Sequence, residues 1–131
     1  MIIQLETTGV IPIYVQLRNQ IVLGIGRGDL KIGEGLPTVR QMAEDIGVNT
    51  LTVNKAYGIL RQEGYIEIDR RHGAKVSPKV DRAGDFREKM ERELELLVAE
   101  SALKGISRED FLSTCAGLFN QLRLEPVGGT L

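Results

Sequence analysis

Asn49, Thr50, Leu51, Thr52, Asn54 and Lys55 bring amides, hydroxyls, an isobutyl group and an ammonium together within two helical turns. An amide can pair with an adenine edge, a hydroxyl with either a base or a phosphate, and an apolar side chain can touch a thymine methyl. An ammonium suits a phosphate oxygen. This is the chemistry of recognition rather than of bond making. The one histidine, His72, stands in a glycine-adjacent turn, and the one cysteine, Cys115, lies on an apolar helical stripe. Glu91, Glu93 and Glu95 spread over a solvated helical face, and no acid–base pair or metal-ligand spacing emerges. No catalytic residue, cofactor or metal is therefore expected. The glycines of Gly24-Ile25-Gly26-Arg27-Gly28 follow a helical pattern, with no strand before them and no Lys-Ser/Thr pair, so they do not form a nucleotide cradle.

Such a reading surface needs a rigid mount. Thr38 through Gln41 fits a capping box, in which the Thr38 hydroxyl accepts from the Gln41 N–H and the Gln41 side chain reaches back to Thr38. Pro37 disfavours a helical Leu36. Val39, Met42, Ala43 and Ile46 then share one helical face. Gly47 suits the left-handed position that ends a helix, and Asn49 restarts the pattern as an N-cap. Val53, Ala56, Tyr57 and Leu60 repeat the spacing, and Gly64 closes the second helix. Only Gly47, Val48 and Asn49 separate the two helices, which forces the sharp crossing of a helix-turn-helix. In that motif the N-terminal residues of the second helix face base edges in the major groove.

The segment that follows reads as a hairpin. Tyr65 to Ile68 and Lys75-Val76 are candidate strands, with Ile66, Ile68 and Val76 for the buried face. Gly73 permits a positive backbone angle at the tip. Arg70, Arg71, His72 and Lys75 cluster positive charge there, and a narrow minor groove attracts inserted Arg and His. The fold class is mainly α with a small β-wing: a winged helix-turn-helix domain over residues 1–78. A helix starting near Pro12 and carrying Ile13, Leu17 and Ile21 on one stripe packs behind the motif as scaffold.

Residues 12–76 resemble the DNA-binding domain of the GntR family of bacterial transcription regulators. The likeness is carried by Pro12-Ile13-Tyr14 with Gln16, the Gly28/Leu30/Gly33 spacing, Leu36-Pro37-Thr38-Val39-Arg40, Gly47-Val48-Asn49, Thr52-Val53, Leu60 and Glu63-Gly64-Tyr65-Ile66. Lys55-Ala56-Tyr57 and the short C-terminal region look most like the YtrA subfamily. The resemblance implies that Arg40 contacts DNA, that Asn49, Thr50, Thr52 and Asn54 occupy the reading positions, and that His72 and Gly73 enter the minor groove. Taken with the residue chemistry, the expected DNA interface comprises Thr38, Arg40, Asn49, Thr50, Leu51, Thr52, Asn54, Lys55, Arg70, Arg71, His72 and Gly73. Two departures stand out. Many family members carry arginine where this chain has Thr50 and Asn54, and the wing has Arg71, Ala74 and Lys75 in place of a glycine-any-glycine-threonine-aromatic pattern.

The 131 residues carry a formal net charge of −1, with 42% hydrophobic and 27% charged residues, an ordinary globular balance. The charge is unevenly divided. Up to residue 80, ten Lys/Arg face eight Asp/Glu; from residue 81, seven face ten. The basic surplus falls in the proposed reader. One cysteine cannot form an internal disulfide, and a buried thiol is the expectation for Cys115. The N-terminus shows no secretory pattern and no stretch approaches the ~18 apolar residues of a membrane span, so a cytoplasmic location is expected.

Residues 79–131 read as a C-terminal helical dimerisation region. Asp81 or Asp85 would cap a helix carrying Phe86, Met90, Leu94 and Leu97, which Gly105 ends. Ser107 would cap a second helix carrying Phe111, Cys115, Leu118, Phe119 and Leu122. At ~25 cal/mol per Å² of apolar area, one such hairpin struggles against an ordering cost of about 1–2 kcal/mol per residue. A second copy is the expected cover, since twofold dimers are the commonest oligomer. A dimer would set two recognition helices about one DNA turn apart on an inverted-repeat operator. The function expected is that of a sequence-specific regulator of transcription, most simply a repressor. The competing reading is a winged-helix protein-interaction module that binds no DNA. A small-molecule effector would have to sit between subunits or between domains, because about 50 residues of helix cannot enclose a 300–1,000 Å³ pocket.

Overall fold

A computed structural model of the chain describes residues 3–71, 73–77 and 84–123. The chain divides into two compact units, the first built from residues 1–80 and 123–131 and the second from residues 81–122. The first unit runs α1 (Ile13–Gly26), α2 (Val39–Ile46), α3 (Thr50–Gln62), β1 (Ile66–Asp69) and β2 (Gly73–Val76). The second is the helix pair α4 (Gly84–Leu103) and α5 (Arg108–Phe119). Mainly α with a two-stranded antiparallel sheet, this is the winged-helix architecture expected.

One core holds the first unit together. Leu17 and Ile21 of α1, Met42 and Ala43 of α2, Val53, Ala56, Tyr57 and Leu60 of α3, and Ile66, Ala74 and Val76 of the hairpin are all buried, with Leu30 and Leu36 from the connecting loop. Fully burying side chains of this size is worth ~1.5–3 kcal/mol each, so the core fixes the angle between α2 and α3. Ile68 departs from expectation: it is 46% exposed. It faces Ala74 in the register, two residues on from the Ile66–Val76 pair; the small Ala74 is buried, while the longer Ile68 side chain stays largely in solvent.

The sheet gains a further rung that periodicity did not announce. Gly33 N–H donates to the Val76 carbonyl at 3.0 Å, Val76 N–H to the Glu34 carbonyl at 2.8 Å, and Leu36 N–H to the Ala74 carbonyl at 2.8 Å. The loop before α2 thus lies along β2, with Gly35 bridged to Lys75. The N-terminal segment is held by two side chains of α1. Gln16 Nε2 donates to the Glu6 and Ile11 carbonyls while its Oε1 accepts from the Glu6 N–H. Gln20 makes the same two-way pairing with the backbone of Gln4. Pro12 is the residue before α1 rather than its first turn, and the helix continues through Gly24 to Gly26.

In the second unit, Gly105 at φ 88° closes α4: its N–H donates to the Ala102 carbonyl and that of Ile106 to the Ser101 carbonyl. Ser107 Oγ accepts from the Asp110 N–H at 3.1 Å and starts α5. Of the two caps expected for α4, Asp81 lies outside the described residues, and Asp85 is already inside the helix, which begins at Gly84. Leu94, Leu97, Leu118, Phe119 and Leu122 are exposed, as is Phe86, while Met90, Phe111 and Cys115 are half-buried. Cys115 is therefore not buried within one chain. Two helices leave each apolar stripe covered on one side only.

Candidate nucleic-acid interface

The turn between α2 and α3 is fixed by local bonds. Thr38 Oγ1 accepts from the Gln41 N–H at 3.0 Å. The return half of the expected capping box is absent among the described residues: Gln41 Nε2 donates instead to Asp45 Oδ1, one turn further on, at 2.7 Å. Gly47 takes the left-handed conformation at φ 71° and its N–H donates to the Ala43 carbonyl. A side chain at this angle would meet the steric cost that glycine avoids. Asn49 Oδ1 accepts from the Leu51 N–H at 2.7 Å and opens α3. Tyr57, buried in the core, donates its hydroxyl to the Pro37 carbonyl at 2.7 Å, tying the middle of α3 to the entry of α2.

This framework leaves one side of α3 free. Thr50, Leu51, Asn54 and Lys55 are exposed, as are Thr38, Arg40 and Asn49. Leu51 is 72% exposed, an apolar side chain at the tip of a capped helix. Thr50 with Asn54, and Leu51 with Lys55, stand four apart and so share helix faces. Thr52 is half-buried, with less of its side chain available than the residues around it. Among the described residues no carboxylate pairs with Arg40. Lys55 Nζ lies 4.0 Å from the centroid of the Tyr14 ring, a contact between α1 and α3 that helix periodicity does not reveal.

The hairpin brings two further cations to its tip. Arg71 N–H donates to Asp69 Oδ1 at 2.8 Å, which shapes the turn, and Gly73 has φ 72°. Arg70 and Arg71 are exposed. His72 lies outside the described residues. Lys75, grouped by sequence with the tip charges, is half-buried and sits 3.9 Å from Glu67, its partner across the strands. The positive charge of the described tip therefore resides in Arg70 and Arg71. One turn after Tyr14 on α1, Arg18 pairs with Glu63 at 2.9 Å and lies 5.4 Å from the Tyr65 ring centroid, which locks α1 against the end of α3.

Among the described residues, no three His, Cys, Asp or Glu side chains gather where they could hold a metal ion. No described helix is long and apolar enough to cross a membrane. A capped helix with an exposed polar and apolar tip, beside a short hairpin bearing free arginines, defines a winged helix-turn-helix of the DNA-binding class.

Residues 13–76 match the family model described as bacterial regulatory proteins, gntR family. The chain is 32% identical over 102 residues to the uncharacterized HTH-type transcriptional regulator YhcF of Bacillus subtilis, covering 77% of this chain and 84% of that one. It is 40% identical over 75 residues to the HTH-type transcriptional repressor YtrA of the same organism, covering 57% of this chain and 58% of that one. Among solved structures, YtrA from Sulfolobus acidocaldarius, a GntR-family transcription factor, superposes with a TM-score of 0.65 at 35% identity, covering 76% of this chain and 99% of that one. The DNA-binding domain of AraR in complex with operator ORR3 superposes with a TM-score of 0.50 at 26% identity, over 56% of this chain and 89% of that one. The chain belongs to the GntR family of transcription regulators, in its YtrA-like branch.

Proposed function

We propose that this regulator is a cytoplasmic homodimer that represses transcription by occupying an inverted-repeat operator. The exposed N-terminal half of α3, with Leu51 at its tip, carries the reading. An apolar side chain, amides and hydroxyls at the start of a capped helix suit base edges in the major groove. Arg40 and Lys55 supply phosphate contacts on either side, and Arg70 and Arg71 address the minor groove beside them. The repressor role is suggested by the likeness to YtrA of Bacillus subtilis, a transcriptional repressor.

Residues 1–78 serve as the reader and residues 79–131 as the dimerisation region. Support for the second assignment lies in the exposed apolar side chains of α4 and α5, among them Leu97, Leu118 and Phe119. A helix pair that buries so little needs a partner surface, and a second copy supplies an identical one by twofold symmetry. Twofold symmetry in the protein then matches twofold symmetry in the operator.

The test is a footprint of the purified protein on the promoter region of its own gene, paired with sedimentation of the free protein. Protection of two half-sites about one helical turn apart by a dimer supports the proposal. A monomer that leaves every DNA fragment unprotected but forms a stable complex with another protein would make it an interaction module instead.

A further inference from the structure

Tyr14 sits at the start of α1, outside every reading position considered above. It is half-buried and packs against the core, so its ring is held in place. The Lys55 ammonium lies 4.0 Å from the ring centroid, within the range in which the negative face of the ring attracts a cation. Lys55 itself is exposed, and among the described residues it has no carboxylate partner. Its position four residues after Leu51 puts it on the same helix side as the apolar tip of α3. A free surface lysine samples many rotamers and loses that freedom when it meets a phosphate. One already resting on a fixed ring has lost part of it beforehand, while the N–H groups that point away from the ring stay available to an acceptor.

We infer that Tyr14 is a positioning residue of the DNA interface: its ring holds the Lys55 ammonium beside the reading face of α3, where it meets a backbone phosphate next to the bases that Leu51 and Asn54 address. The inference rests on the DNA-binding reading above. It assigns α1 a part in recognition in addition to its structural one, and makes the Lys55 contact pre-ordered rather than assembled on binding.

The experiment measures the affinity of the full chain for a random-sequence duplex of about 30 base pairs over a range of salt, since phosphate contacts do not depend on sequence. Wild type is compared with Y14F, Y14L, K55Q and Y14L/K55Q. Y14F keeps the ring face and should bind like wild type. Y14L should weaken binding about two- to fivefold for each bound subunit. K55Q should weaken it further and reduce the salt slope by about 0.9 per subunit. In the K55Q background Y14L should have no added effect. An equal loss from Y14L with and without Lys55 would overturn the inference, as would Y14L binding like wild type, because Tyr14 would then act by folding alone or not at all. The ring current offers a second readout free of DNA: the Lys55 ε-proton resonances should lie upfield in wild type and Y14F. Ordinary shifts there would overturn the inference even if Y14L failed to fold. A wild-type protein that binds no duplex at all would remove the DNA reading and this inference together, whereas binding without Tyr14–Lys55 coupling removes only the inference.

Discussion

The Tyr57 hydroxyl donates to the Pro37 carbonyl at 2.7 Å across the helix-turn-helix. This bond joins the buried side of α3 to the residue preceding the Thr38 cap of α2. It spans the two elements whose mutual angle decides where Leu51 and Asn54 point. Y57F keeps the ring in the core and removes only the donor. The variant should lose about 0.5–1.5 kcal/mol of stability in urea unfolding, the usual net worth of one hydrogen bond. Stability equal to wild type would mean that the Pro37 carbonyl is equally well served by water.

The same residue predicts an alkaline limit. Burial pushes the Tyr57 phenol up from 10.0 to about 12, because the charged form is poorly solvated in the core. The folded state therefore holds this proton more tightly than the unfolded chain. Below pH 10 both states are protonated and the contribution to stability is complete. Between pH 10 and about 12 the unfolded chain ionises first, and stability falls as pH rises. Urea midpoints of wild type and Y57F, measured from pH 8 upward, should therefore converge above pH 10. A gap that stays constant would contradict this.

A charge placed on the exposed apolar surface of α5 should separate subunits without unfolding them. Phe119 is 73% exposed in the single chain, so F119E costs a monomer little. In a dimer built on this surface the added carboxylate would be buried without a partner. Sedimentation should show wild type at twice the 14.5 kDa chain mass and F119E at the chain mass. Operator affinity should fall with it. A wild type that sediments as a monomer would contradict the proposed dimer.

Much of the reader is legible in the sequence because its signals are local. Thr38, Gly47 and Asn49 act on backbone groups within a few residues of themselves, and they stand in the structure as their types require. The spacing of Val53, Ala56, Tyr57 and Leu60 likewise names the buried face of α3. What escaped depends on partners distant in sequence. Residues 33–36 pair with β2 through backbone groups, which no side-chain pattern reports. Ile68 alternates correctly along its strand yet is 46% exposed opposite the buried Ala74, so alternation alone overstates its burial. Gln41, expected to accept from the Thr38 N–H, instead turns its amide to Asp45, one turn away. Lys55 reads as a bare phosphate ligand until the fold brings Tyr14 beneath it. Gln16 could be quoted as part of a family pattern, but only the structure gives its reason, the pinning of Glu6 and Ile11.

Leu51 makes a prediction about bases. If its side chain meets a thymine methyl, replacing thymine by uracil at the contacted step removes the methyl group and nothing else. Wild type should bind the uracil operator more weakly, by roughly the ~0.8 kcal/mol that one buried methyl-sized group contributes. L51A should bind both operators alike. Equal discrimination by wild type and L51A would place the thymine contact elsewhere.

In the proposed complex α2, α3 and the hairpin tip form one surface that binds DNA through phosphates and base edges. Its most direct test is the salt dependence of binding to the protein's own promoter fragment, measured for wild type and for R40A. Each phosphate contact contributes about −0.9 to the slope of log affinity against log salt. Two subunits using Arg40, Lys55 and the tip arginines predict a steep slope for wild type, and for R40A a weaker affinity with a slope shallower by about 0.9 per subunit. Binding that stays flat between low and moderate salt, and is unchanged in R40A, would rule out phosphate binding by this surface.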